Sequence, residues 1–320
     1  MAGAWRGSTA DPRDRDVTAL SDTTKGVLAI VLACTIWGTA TLYYKALAHV
    51  PAAEVLAHRT LWTLLFFGLL LRLQSRFAEV PALIRGPLRG RVWLAAGIVA
   101  FNWGLFIWAI QSGFAVQASL GYYIFPLVSV VLGIAVLGER LTRGQGVAVG
   151  LAALAVCLLT WGLGAAPWVA LALAFSFAPY MLVKKQLSAP AAVSVTAEVL
   201  VLAPFALAYL AVADGGVFGR DAFTSLMLPV TGLITGGPLI LFSWGAQRVR
   251  LSTLGLIQYL NPTLQMASAV FVFREAFTRW HAAAFGLIWA ALALYSLESW
   301  RQDRAARRRA ASDATSGTAL

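Results

Sequence analysis

"GLIQYLNPTLQ", residues 255–265, places Gln258, Asn261, Pro262 and Gln265 in the middle of an apolar run. Three amides and a residue without a backbone N–H are costly in hydrocarbon, where an unpaired polar group has no water to turn to. The amides recur at spacings of three and four, so on a helix they share one face. Pro262 removes a rung of the hydrogen-bond ladder beside them. Polar or irregular backbone at membrane depth is tolerated where protein or a water-filled cavity satisfies it, so this face is expected to line a cavity.

The flanking chain sets the environment. Of its 320 residues 59% are hydrophobic and only 12% charged, with a mean hydropathy of +0.74, whereas soluble domains carry about a quarter charged residues. Apolar runs of about 20 residues span a bilayer as helices. Ten lie near 26–48, 55–72, 92–111, 115–137, 145–162, 167–185, 192–213, 226–246, 252–273 and 280–299. The chain therefore reads as an all-α membrane protein of ten transmembrane helices. Residues 1–25 are polar and lack the short apolar core and cleavage site of a signal peptide, which predicts a disordered tail. Residues 300–320 read as a basic, unpacked tail. The net charge of +11 fits membrane orientation and lipid headgroups rather than nucleic acid. Cys34 and Cys157 each fall inside a span, which indicates neither a disulfide framework nor a cysteine metal site.

Basic residues accumulate in cytoplasmic loops. With the N-terminus inside, 20 of the 25 Lys and Arg fall on inner segments and three, Arg220, Arg274 and Arg279, on outer ones. One missed or invented span would exchange the sides of every later loop and erase this imbalance. Ten spans with both termini cytoplasmic follow.

A shift of 136 residues brings Trp108 onto Trp244, Gln111 onto Gln247, Tyr123 onto Tyr259, Pro126 onto Pro262 and Glu139 onto Glu275. A shift of 139 brings Lys45 onto Lys184 and "PAA" at 51–53 onto "PAA" at 190–192. The chain reads as two five-span units, 26–162 and 163–299. Five is odd, so the second unit threads the bilayer in the opposite sense, the arrangement of inverted-repeat secondary transporters with a site near the midplane.

Candidate cavity faces follow from helical spacing. Span nine offers Gln258, Asn261 and Gln265 with Tyr259; span four offers Tyr122 and Tyr123; span three offers Asn102; span one offers Trp37, Thr41 and Tyr44, with Lys45 beside them. Pro126 and Pro262 are the expected kinks. Single amides fit an interhelical hydrogen bond as well as a solute contact. Lys45 fits snorkelling to the outer surface. Arg59 lies within span two, where a charge costs about 2.5–3.5 kcal/mol on insertion scales and faces the bundle interior. It fits either a helix clamp or a counter-charge for an anion. Glu54 is positioned to pair with it only loosely, and Glu198, its repeat equivalent, should lie at another depth. If transport is proton-coupled, His58 and Glu198 are the titratable candidates. Gly146-x-x-x-Gly150 and Ala282-x-x-x-Gly286 fit close packing of spans five and ten within the chain or a homodimer contact.

The stretches "IWG" (36–38), "VPAAEVLAHRTLW" (50–62), "NWGLFIWA" (102–109), "ASLGYYIFPLVSVVLG" (118–133) followed by "LGER", "LAFSFAPYMLVKK" (173–185) and "LSTLGLIQYLNPTL" (251–264) together resemble RarD-type proteins of the EamA family, in the drug/metabolite transporter superfamily. The resemblance covers residues 25–298. It implies two inverted five-helix EamA repeats in a bacterial inner membrane, with the first four spans of each half around the substrate path and spans five and ten peripheral. RarD-type members are associated by name with chloramphenicol sensitivity, and relatives of this fold export amino acids, other metabolites or drugs. The second copy departs from "LGER", reading "VFREAF", with Arg274 before Glu275.

The chain is thus expected to be a secondary transporter, in the exporting sense, of a small polar or amphipathic metabolite or drug, with no cofactor. The alternatives are a channel or non-transporting scaffold and, third, an intramembrane enzyme. Against the enzyme, His49, His58 and His281 are scattered, and no His-Glu-x-x-His, paired intramembrane aspartates or phosphate-binding glycine loop occurs.

Overall fold

The computed structural model describes residues 21–137, 142–213, 216–249 and 251–317, and every regular element among them is helical. Residues 1–20 of the expected tail, and Glu139, lie outside them. Nine helices among the described residues are long and apolar enough to cross a membrane. They are α1 (Asp22–Ala46), α2 (Ala52–Leu73), α4 (Arg89–Gln111), α5 (Ala115–Leu137), α6 (Arg143–Leu163), α7 (Trp168–Leu187), α8 (Ala191–Val212), α9 (Ala222–Ala246) and the first part of α12 (Arg279–Gly317). A short α3 (Glu79–Arg85) occupies the α2–α4 connection.

The ninth expected span differs. Residues 251–272 form α10 (Leu251–Gln258), α11 (Leu260–Ala267) and one π-helical turn (Ser268–Val272). Pro262 has no N–H to offer the Gln258 carbonyl, and the ladder is interrupted just there: the Tyr259 N–H turns back to Leu256 (3.3 Å), and regular bonding resumes with Thr263 N–H to Tyr259 O (3.2 Å). Pro126, by contrast, sits inside an unbroken α5. The other difference is α12, which runs past residue 299 to Gly317 through an Ala- and Arg-rich stretch of good helix formers.

Local chemistry sets the helix ends. Ser21 accepts the Thr24 N–H at the start of α1, Asp221 does the same for Thr224 before α9, and Thr142 with Gln145 forms a capping box on α6. Outward faces carry Leu28, Leu65, Leu69, Phe205 and Leu226, all exposed, as lipid-facing helices require.

The helices pack in a pattern that repeats when the series α1, α2, α4, α5, α6 is exchanged with α7, α8, α9, α10–α11, α12. Like positions meet in α2–α8, α5–α11 and α6–α12. The remaining major contacts come in exchanged pairs: α1–α9 with α7–α4, α1–α11 with α7–α5, and α2–α9 with α8–α4. Pair α6–α12 lies at the periphery, burying Ala148, Ala152 and Ala155 on one side and Ala284, Ile288 and Ala291 on the other. Its tightest point is Gly162, where a Cβ would come within 2.2 Å of the Trp280 ring. The glycines of the expected small-residue motif, Gly146, Gly150 and Gly286, have nothing within 4 Å of a Cβ, and Ala282 is exposed. Alanines, not that motif, form the seam within the chain.

Candidate functional site

Polar groups tie the helices together at the end that carries the α1–α2, α4–α5 and α8–α9 connections. Glu54 accepts the Val217 N–H (2.7 Å), and Gly216, at φ 64, lies so close to that carboxylate that a Cβ would come within 2.2 Å of it. Phe218 then stacks 5.1 Å from the His58 ring. His49 Nε2 and Thr224 Oγ1 are 2.8 Å apart, and the Tyr43 hydroxyl donates to the Met227 carbonyl. Glu275 accepts the Ala115 and Val116 N–H groups, each at 2.8 Å. Lys45 donates to the Ile110 and Gln111 carbonyls at 3.5 and 3.4 Å, where the end of α4 favours a cation. Each contact except those of Lys45 crosses between the two series of helices.

Arg59 lies two turns into α2 and is only 8% exposed. Gly232 and Gly236 bring α9 against α2 so closely that their Cβ atoms would lie 2.6 Å from Trp62 O and 2.4 Å from the Phe66 ring. Thr235, between them, therefore reaches the guanidinium and accepts from Arg59 Nε at 2.9 Å. Its own proton goes to the Thr231 carbonyl (2.9 Å). The guanidinium carbon stands 3.9 Å from the Trp103 ring centroid and 5.8 Å from that of Tyr44, a cation–π setting that offsets part of its desolvation. Tyr44 continues edge-on to Phe106, and Phe106 to Tyr122. The Tyr122 hydroxyl donates to Asn102 Oδ1 (3.3 Å). In this region the Tyr44 hydroxyl and His58 Nε2 are buried without a hydrogen-bond partner among the described residues.

A second polar cluster joins α7 to α8. Lys184 Nζ lies 2.6 Å from Glu198 Oε1, the Tyr180 hydroxyl donates to Oε2 (3.0 Å), and Lys184 also donates to Ser194. Glu198 is wholly buried. Beside this cluster a groove of about 560 Å³, lined by Ser129, Gly133, Met181, Lys184, Lys185 and Ser194 among others, opens between α5, α7 and α8.

Residues 24–161 match the EamA-like transporter family. Protein RarD of Streptomyces exfoliatus is 44% identical over 280 residues, covering 85% of this chain and 88% of that protein. The chain belongs to the RarD-type EamA transporters. YojE of Bacillus subtilis (strain 168), an uncharacterized transporter, is 39% identical over 294 residues, 90% of this chain and 98% of its own length. A solved crystal structure with 19% sequence identity matches with a TM-score of 0.59 over 85% of this chain and 97% of that one, a likeness of fold. With nine membrane-capable helices among its described residues, this RarD-type chain is a multi-pass membrane transporter.

In this RarD-type chain Arg59 lies over Trp103 and near Tyr44, and Tyr44 leads through Phe106 to Tyr122, whose hydroxyl meets Asn102. Asn102 also donates to the Leu173 carbonyl (3.1 Å) and Ser176 Oγ (2.8 Å), so its amide joins α4 to α7. Thr41 is buried and turned back to the Gly38 carbonyl, and Trp37 packs on Phe242. Tyr123 and Tyr259 belong to another cluster: their rings stack at 6.3 Å, Tyr123 also meets Phe285 and Trp289, and its hydroxyl bonds Thr263. Along the opening stretch, Gln265 donates to Asn261 Oδ1 (2.8 Å) and is left with a buried, unpartnered Oε1, whereas Gln258 is exposed. Among the described residues the amides of Asn261 and Gln265 bond each other rather than Arg59 or Glu198, and Glu54 and Glu198 are both engaged elsewhere.

Sequence reasoning counted Lys184 as a loop charge and passed over Tyr180 and Thr235. The match of Lys184 to Lys45 in the repeat was a usable signal for the first. For Thr235 the signal was its glycine flanks, "TGLITGGP" (231–238), which mark a close helix approach.

Proposed function

We propose that the chain is a secondary transporter that moves a small polar or amphipathic metabolite or drug outward across a bacterial inner membrane by alternating access. In this reading ten spans form two inverted five-helix repeats with both termini cytoplasmic, and α10, α11 and the π-turn together make the ninth span. The observation that carries it is the helix-packing pattern, which is unchanged when the two five-member series are exchanged. Such pseudo-symmetry lets one structure serve two states, each half taking the other's conformation in turn. The end held by Glu54, His49 and Glu275 is then the outer one and is closed, while the groove beside Lys184 opens to the cytoplasm. The distribution of basic residues supports that orientation: Arg72, Arg76, Arg85, Arg89, Arg91, Arg143 and Arg248 share the end with Lys184 and Lys185. Glu198 and His58 are the groups that would carry a coupled proton, which uptake with and without an imposed pH gradient tests.

The deciding experiment is flux in proteoliposomes across a panel of amino acids, metabolites and amphenicols. Saturable flux with counterflow is expected. Flux that rises linearly with concentration identifies a channel, and absence of flux across the panel a scaffold. Tags at each terminus, expected inside the cell, test the topology independently.

A further inference from the structure

Among the described residues the buried carboxylates, Glu54 and Glu198, are already engaged by Val217 and by Lys184 with Tyr180, and the half-buried Glu275 by the start of α5. Lys184 is correspondingly neutralised. Arg59 is left as a buried cation with no ion pair among the described residues. Only its Nε donates to a described residue, so the two terminal nitrogens, the fork that binds an oxyanion at two points, have no acceptor among the described residues. An uncompensated charge at this depth is costly and calls for a partner. Stacking on Trp103 offsets part of that cost and leaves the edge of the guanidinium free. The Tyr44 ring centroid lies 5.8 Å from the guanidinium carbon, and the Tyr44 hydroxyl is buried without a partner among the described residues, a donor suited to the same oxyanion. The neighbouring walls, Trp103, Phe106 and Tyr122, are aromatic.

We propose that Arg59 and Tyr44 form the recognition point for a single carboxylate of the transported solute, whose apolar body lies against Trp103, Phe106 and Tyr122. The substrate class is then a small monocarboxylate with an apolar or aromatic portion. One unneutralised cation calls for one negative charge; a dianion would carry an unpaired charge into the bilayer. Thr235 is a positioning residue, holding Nε while the two terminal nitrogens stay without an acceptor among the described residues. This assignment rests on the transport reading, because it gives that reading's site its cargo.

The test is a binding measurement that needs no turnover. The full chain in phosphatidylcholine nanodiscs is titrated with monocarboxylates from acetate to benzoate and phenylacetate, each paired with its neutral amide, and the thermal midpoint is followed. Carboxylates with an apolar body are expected to raise the midpoint in a saturable way and their amides not. Arg59→Gln should weaken binding by more than about tenfold, the equivalent of one charge-assisted pair. Arg59→Lys, which keeps the charge without the fork, and Thr235→Val, which frees Nε, should give smaller losses and guard against a Gln variant that fails to fold. Repeating the titration with added phosphatidylglycerol separates a solute from a lipid headgroup: a rise in midpoint from the lipid alone that depends on Arg59 overturns the proposal. So does equal stabilisation by acids and amides, or a panel with no effect. Arg59-dependent binding without flux would sink the transport reading and leave the site standing; flux of neutral solutes without carboxylate binding would do the reverse.

Discussion

Glu275, in the connection before α12, receives the N–H groups of Ala115 and Val116 at 2.8 Å each, so a carboxylate from the second series of helices closes the start of α5 in the first. A helix N-terminus offers unpaired donors and partial positive charge, and an anion satisfies both. The contact caps α5, and in the proposed transport reading it is also a latch across the outer end.

Replacing Glu275 by Ala removes both. Loss of a helix cap costs about 0.5–2 kcal/mol. The thermal midpoint in detergent should fall accordingly, and a cysteine placed at Phe114 should become more reactive toward an impermeant maleimide added outside. Unchanged labelling would mean that Glu275 is a cap without being a latch.

The Lys184–Glu198 pair, 2.6 Å apart with Glu198 wholly buried, should behave as a buried ion pair does. Lys184→Met or Glu198→Gln alone leaves one partner uncompensated and should cost about 3–5 kcal/mol. The double variant should recover much of that loss. A double-mutant cycle on thermal or denaturant stability reads the coupling directly, and additive effects would refute it.

Gly38 and Gly146 should respond in opposite ways to Ala. A Cβ on Gly38 would come within 2.7 Å of Leu264 Cβ and 2.9 Å of the Asn261 carbonyl, forcing α1 away from α11 at a cost of about 1–3 kcal/mol. At Gly146 nothing lies within 4 Å, and the better helix propensity of Ala, worth up to about 1 kcal/mol, should appear instead. Thermal midpoints of the two variants make the comparison, and similar losses at both would show that α6 is packed more tightly than the distances indicate.

Asp221 caps α9 on the exposed α8–α9 connection, and the Thr224 hydroxyl and N–H hold its carboxyl below the ordinary aspartate value of 3.8. A group depressed in the folded state stabilises it above the unfolded pKa, and that contribution is lost as pH falls through the lower folded value. Asp221→Asn keeps a good cap, so it should match the parent protein at neutral pH and lose less stability on acidification. A steeper acid loss in the variant would contradict the assignment.

The membrane class and the placement of the helices were legible in the chain because hydropathy, run length and basic-residue bias are properties of each segment taken alone. The unusual polarity around Pro262 was legible for the same reason, and its break appears as the division between α10 and α11. An internal repeat could be proposed as well, since that needs only one stretch compared with another. Which polar groups meet could not. Glu54 and Thr235 find partners far off in sequence and Lys184 finds its own on the next helix, and those pairings depend on the rotation of each helix about its axis and on the close approach of α9 to α2 at Gly232 and Gly236. A helical face spans several residues, so spacing alone grouped Gln258, Asn261 and Gln265 without saying what they touch. Only the assembled bundle leaves Arg59 as its buried cation without an ion pair among the described residues, because a charge becomes unpaired only once every candidate partner has been placed.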